Sequence, residues 1–362
     1  MNCLARGMEI RMNLKYIAKR AAVMCLVAAL SIGSLTGCQS ETKVVFTTGL
    51  SGNELFKIGS ATCTTPEIMI YLTTFYNQYA KTYGQEMWHY DLGGVSLEEH
   101  VKDVVLSKMA QIKIMNLMAE ERKIGLSDQE EQRIATAAES YYESLEKELR
   151  DREGISKKVV ENVYREYAIA NKVYETITES ADMEISDDEA RTVTVQVIYL
   201  KNWKLKNNER TALNEQETKE VLNNAQDILN RIQAGEDFEA LAAQCSDDKQ
   251  IVKNYARGVA DAEFEEILFS MDEGDASDII ETDEGYYIVK CISTMDYEAT
   301  QENKLVLAEQ RKKAAFSEAY TEIATNTHSQ FRDKHWEKLT LNEEVHTTDA
   351  NFFEIYDKYV KQ

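Results

Sequence analysis

The chain has 362 residues, with 41 Lys and Arg against 63 Asp and Glu, a formal charge of −22. That length allows more than one domain. The acidity argues against nucleic acid as a partner and against an electrostatic hold on anionic lipid. A single proline, 15 glycines and 29% charged residues point to a helix-rich protein with polar helix faces, and no Gly/Ser-rich linker or internal repeat is visible.

The chain opens with a basic patch of Arg11, Lys15, Lys19 and Arg20. An apolar run follows from Ala21 to about Ile32, and Leu35-Thr36-Gly37-Cys38 closes it. This order of parts is that of a secretory signal. The run from Ala21 to Gly37 is shorter than the roughly 20 residues of a membrane span and is diluted by small residues. Its end resembles the lipobox of bacterial lipoproteins. That resemblance implies a signal peptide over residues 1–37, lipid on Cys38, and a protein tethered to the extracytoplasmic face of a cell membrane. Met8 or Met12 would also give a sensible start.

The leader holds five basic residues and one acid, so its removal takes the body to −26. The lipid on Cys38 would then have to do the anchoring, and one acyl group alone binds weakly. Beyond the leader only Cys38, Cys63, Cys245 and Cys291 remain. They show neither CxxC nor metal-ligand spacing, so no metal or other cofactor is expected. Cys245 and Cys291 could pair or could be small buried hydrophobes.

Helix starts are legible in the first half. Ser96-Leu97-Glu98-Glu99, Ser127-Asp128-Gln129-Glu130 and Ser186-Asp187-Asp188-Glu189 are capping boxes, and Thr65-Pro66 is a further start. A short strand is expected at Glu54–Gly59. The apolar spacing predicts helices over Pro66–Tyr83, Leu97–Lys123 (stopped by Gly125), Asp128–Arg152 and Lys157–Glu179. Residues 38–190 therefore read as an all-helical domain with one small sheet element.

The pattern changes at Arg191. Thr192–Leu200 is β-rich, and a polar stretch leads to Asn214. A helix over Glu215–Ala234, a short helix from Phe238, another over Phe264–Ser270, a strand near Ser277–Glu281 and a last strand over Glu284–Ile292 follow. Residues 191–296 make a compact unit with a small antiparallel sheet. A long helix from Leu305 to about Leu339 has a narrow apolar stripe and needs a partner. The expected fold class is α+β: a helical domain built from both chain ends, with residues 297–362 packing on 38–190 and the smaller unit inserted between them.

The inserted unit resembles a parvulin-type peptidyl-prolyl isomerase. The resemblance rests on Ile232-Gln233-Ala234-Gly235-Glu236-Asp237-Phe238 with Glu239-Ala240-Leu241-Ala242, on Cys245-Ser246-Asp247-Asp248, on Phe264 and Phe269, on Gly274-Asp275-Ala276-Ser277-Asp278, and on Thr282–Lys290. With the lipobox, the Lys123–Asp128 turn and the returning C-terminal helix, it is similar to the PrsA/SurA group of extracytoplasmic foldases. This implies assistance to unfolded or partly folded secreted polypeptides, no nucleic acid and no cofactor, with a homodimer left open.

Parvulins usually carry one histidine in the first strand of this domain and another in the last. Those positions here are Val197 and Tyr287, and the domain has no histidine: the five are His89, His100, His328, His335 and His346. The family's central Cys or Asp falls on Asp248, and Thr282 matches a threonine near the last histidine. The Gly-Gly-Asp-Leu-Gly loop is replaced by Asn254-Tyr255-Ala256-Arg257-Gly258. The resemblance thus implies Asp248 and Thr282 as catalytic residues, with Phe264, Phe269, Val197 and Tyr287 at the substrate. Two functions follow from it: a prolyl isomerase, or a silent holdase-type chaperone that binds unfolded clients. A solute-binding lipoprotein would more often show two α/β lobes.

Overall fold

The structure is a computed structural model that describes residues 49–361, except 51, 92–93, 182–183, 207 and 341–350. The leader and Cys38 lie outside the described residues, as does His346. The chain divides into two compact units, Met1–Ala181 with Lys312–Gln362, and Asp182–Arg311. The expected α+β class, helical ends around an inserted unit with a small antiparallel sheet, is the fold observed.

In the first unit, strands β1 (Glu54–Ile58) and β2 (Ala61–Thr64) form a hairpin that runs directly into helix α1 (Thr65–Tyr83). Thr64, one residue earlier than the sequence suggests, caps α1: its N–H donates to Glu67 Oε2 at 2.6 Å. Helix α2 (Leu97–Arg122) carries the reciprocal Ser96–Glu99 box. It stops at Lys123, which is left-handed at φ 56°, not at Gly125. The expected third helix is two, α3 (Asp128–Ser144) and α4 (Lys147–Glu153), broken at Leu145 and Glu146. Helix α5 (Lys157–Glu179) has the expected bounds.

The second unit begins with the four-residue helix α6 (Asp187–Ala190), where Ser186 accepts from Glu189 N–H. Strands β3 (Thr192–Lys201), β4 (Trp203–Lys206) and β5 (Glu209–Ala212) follow, then α7 (Glu215–Gln233) and α8 (Phe238–Cys245). Next come β6 (Val252–Ala256), α9 (Ala262–Ser270), β7 (Ile280–Thr282) and β8 (Gly285–Ser293). The main sheet has the order β6-β3-β8-β7, antiparallel throughout. The stretch leading to Asn214 thus contains the β4–β5 hairpin, and the first three residues of the Asn254–Gly258 segment, read as a loop from sequence, belong to edge strand β6.

Alternation along β3 and β8 sends side chains to opposite faces. Ile198, Leu200, Tyr286 and Ile288 face a core closed by Ala225, Ile228 and Leu229 of α7 and Phe238 and Leu241 of α8. Val193, Val195, Val197 and Val289 face the other way, against Phe264 and Leu268 of α9.

The final long helix, α10, spans Tyr297–Asn326, and the boundary between the units falls within it. It ends thirteen residues before Leu339, so Phe331 and Trp336 are not on its stripe. Instead β9 (Ser329–Phe331) pairs with β1, giving a three-stranded sheet ordered β2-β1-β9. Short helices α11 (Asp333–Glu337) and α12 (Phe352–Tyr359) complete the helical unit. Phe352 is fully buried and stacks on Tyr164 with ring centroids 4.1 Å apart. The buried Lys113 ammonium sits between Glu166 at 2.7 Å and Glu67 at 3.2 Å. Cys63, Cys245 and Cys291 are free thiols.

Candidate functional site

The site sits on the α9 face of the main sheet. Val197 pairs with Val289, and Tyr199 pairs with Tyr287, across the β3–β8 ladder. Val197 and Tyr287 are therefore diagonal neighbours on one face, a separation of roughly 7–8 Å between Cα atoms. Val197 is fully buried. Tyr287 is half-buried and meets Tyr199 at 4.8 Å and Phe264 at 5.2 Å between ring centroids. Phe264 in turn meets Tyr255 of β6 edge-on at 5.6 Å. Four rings thus run continuously over the face. Phe269 joins the same apolar cluster, but its ring lies beneath two guanidiniums, Arg257 at 4.6 Å and Arg191 at 5.0 Å.

Burial pushes the Tyr287 phenol up to about 12, with the neighbouring Tyr199 and Tyr255 next in effect. It therefore keeps its proton near neutral pH and can donate a hydrogen bond. Tyr199 is committed: its hydroxyl donates to Glu284 O at 2.7 Å and accepts from Trp203 Nε1 at 3.1 Å.

The Cys245–Asp248 segment is tied to the end of β3. Ser246 Oγ accepts from Tyr199 N–H (3.1 Å) and Asp248 N–H (3.2 Å), and Asp247 N–H donates to Tyr199 O at 2.8 Å. Asp248 pairs with Lys253 and accepts from Gln250 N–H at 2.9 Å, and the Lys253 bond is the main force holding its carboxyl below the usual range. Thr282 Oγ1 donates to Gly285 O at 3.1 Å and accepts from Glu284 N–H at 3.3 Å. Its hydroxyl thus serves the turn that leads into Tyr287. Among the described residues no hydrogen bond joins Asp248, Thr282 and Tyr287 to one another.

The sheet therefore brings Val197, Tyr287 and Phe264 together, with Asp248 close enough for its charge to act on Tyr287. Tyr199, Tyr255 and Lys253 were not singled out from sequence. Tyr199 could have been, because it stands two residues beyond Val197 on one strand and so on the same face. Tyr255 was hidden because its segment reads as a loop. No group of three or more His, Cys, Asp or Glu among the described residues is arranged to hold a metal.

Comparison with known proteins places this geometry. Residues 205–293 match the Rotamase family, described as the PPIC-type PPIASE domain. The chain thus carries a parvulin-type domain. Over 280 residues it is 25% identical to "Foldase protein PrsA" of Caldanaerobacter subterraneus subsp. tengcongensis, covering 75% of this chain and 82% of that one. A shorter match, 38% over 72 residues, is to "Foldase protein PrsA 3" of Bacillus cereus, covering 18% of this chain and 25% of that one. The first of these two similarities runs well beyond residues 205–293. A crystal structure of peptidylprolyl isomerase (PrsA) from Bacillus cereus aligns over 87% of this chain and 99% of that one, with TM-score 0.36 and 17% identity.

Proposed function

We propose that this chain is an extracytoplasmic foldase with peptidyl-prolyl cis–trans isomerase activity, anchored by lipid on Cys38 after removal of residues 1–37. The carrying observation is the aromatic wall of Phe264, Tyr287, Tyr199 and Tyr255 on the sheet face of a parvulin-type domain.

Rotating an X–Pro amide crosses a barrier of roughly 18–20 kcal/mol and needs no covalent step. In the twisted amide the nitrogen recovers its lone pair and becomes an acceptor. A catalyst needs a surface that grips the proline ring and a donor that bonds better to the twisted amide than to the planar one. The half-buried rings of Tyr199, Tyr255 and Phe269 supply the apolar surface, backed from beneath by the buried Val197 and Phe264. The protonated phenol of Tyr287 is the donor, standing where parvulins usually carry a histidine. Asp248 and Thr282 act as positioning residues: one orders the loop at the end of β3, the other the β7–β8 turn. Residues 38–190 and 297–362 supply the chaperone part, and the partners are unfolded or partly folded secreted polypeptides.

A second reading, a holdase without isomerase activity, is favoured by one observation: residues 191–296 contain no histidine. Refolding a client whose slow phase is proline-limited separates the two, with aggregation followed in parallel. The isomerase reading expects the slow phase to shorten with added protein. Suppressed aggregation with an unchanged slow phase would leave only the holdase.

A further inference from the structure

The helical unit has a cavity of about 270 Å³ between α2, α5 and α10. Tyr167, Tyr174 and Phe316 give it aromatic walls, with Tyr174 and Phe316 edge-to-face at 5.1 Å. Asn171, Lys108 and Lys313 also line it. The Lys108 ammonium lies over the rings of Tyr167 (5.6 Å) and Phe353 (5.3 Å). Among the described residues no carboxylate lies within ion-pair distance of Lys108 or Lys313. In the same unit Lys113, Lys147, Lys157 and Lys172 all have acidic partners. The contrast matters in a chain with 63 acids and 41 bases, where a cation more readily finds a partner than an anion does. Burial also pulls the Lys108 ammonium below its usual value, and a carboxylate bound beside it would favour the charged form again.

We propose that this cavity binds polypeptide segments in which an Asp or Glu carboxylate stands beside an aromatic or branched apolar side chain. The carboxylate meets Lys108 and Lys313, and the apolar group packs on Tyr167, Tyr174 and Phe316. The volume suits one or two side chains, and the paired requirement for charge and ring is that of a ligand pocket with few polar groups on apolar walls. Only the polypeptide nature of the ligand rests on the foldase reading; the charge and shape requirement stands without it.

The test is fluorescence anisotropy with the full chain and a labelled, proline-free peptide of alternating Asp and Phe, against its Asn counterpart. The acidic peptide is expected to bind about tenfold tighter, and excess salt should narrow the gap. Lys108→Met and Lys313→Met should each abolish most of that preference, whereas Lys108→Arg and Lys147→Met should keep it. Lys313 is exposed, so its variant decides the matter even if Lys108→Met fails to fold. Equal affinity for the two peptides, or an undiminished preference in both Met variants, would overturn the proposal. N-acetyl-phenylalanine displacing the peptide at its own Kd would overturn the polypeptide assignment. Prolyl isomerisation, measured on the same variants, should not change; its absence from wild type would count against the proposed function and leave this cavity's test intact.

Discussion

At the scale of single residues, the proposed site has a phenol, Tyr287, as its donor and holds no imidazole, because residues 191–296 contain no histidine. Imidazole titrates near pH 6.5, whereas the Tyr287 phenol is pushed to about 12 and Asp248 is held low by Lys253. Both groups keep one protonation state across the neutral range. The rate of prolyl isomerisation should therefore be flat from about pH 6 to about pH 9, checked by a pH–rate profile; a step near pH 6.5 would point to an imidazole outside the domain. Tyr287→Phe keeps the ring stack and removes the donor. It should cost roughly one hydrogen bond, about 1 kcal/mol or fivefold in kcat/KM.

Elsewhere Glu130 is held down to about 2, first by Ser127 N–H and then by Lys172. A depressed carboxyl contributes stability present above its unfolded value of 4.5 and lost as pH falls towards 2. Glu130→Gln should flatten that part of the acid-unfolding curve, followed by circular dichroism.

At the scale of elements, most of the architecture was legible because local signals agree. The Ser96 and Ser127 capping boxes set the starts of α2 and α3, and the α5 stripe gave both of its ends. The break between α3 and α4 was not legible. Tyr141, Leu145 and Leu149 continue the four-residue spacing straight through it, and all three are buried. Strands β6 and β9 were missed for a different reason. Each is short, and each exists by pairing with a partner far away in sequence, β3 or β1. Residue spacing could single out Val197 and Tyr287 but could not show that they share a face with Tyr255.

Two substitutions test the elements. Gly285 has φ +149°, and a Cβ there would lie 2.3 Å from Leu200 O. Gly285→Ala should force β8 from β3 and lower the thermal midpoint of the inserted unit by several degrees, read in the tyrosine-rich near-ultraviolet signal. Lys113→Met would leave the Glu67 and Glu166 carboxylates facing each other with no cation. It should destabilise the helical unit by about 3–5 kcal/mol in urea titration.

At the scale of the whole molecule, both chain ends build one unit. Phe331 of β9 pairs with Phe56 of β1, and Phe352 packs among Tyr71, Tyr141 and Tyr164. The buried residues of that core come only from outside the 182–311 segment. Replacing residues 193–295 with a flexible linker should therefore leave a folded helical unit with its own cooperative transition, seen by calorimetry. If that shortened chain still prevents client aggregation, the helical unit holds clients by itself. Among the described residues no helix is long and apolar enough to cross a membrane.

The most direct test of the isomerase account is the cis-to-trans rate of a short proline peptide with the full chain, run beside the double variant Val197→His, Tyr287→His. The account predicts a measurable rise over the uncatalysed rate for the natural sequence, and a larger rise once both imidazoles are restored to the same sheet face. An uncatalysed rate for the natural sequence, with the fold intact, would contradict it.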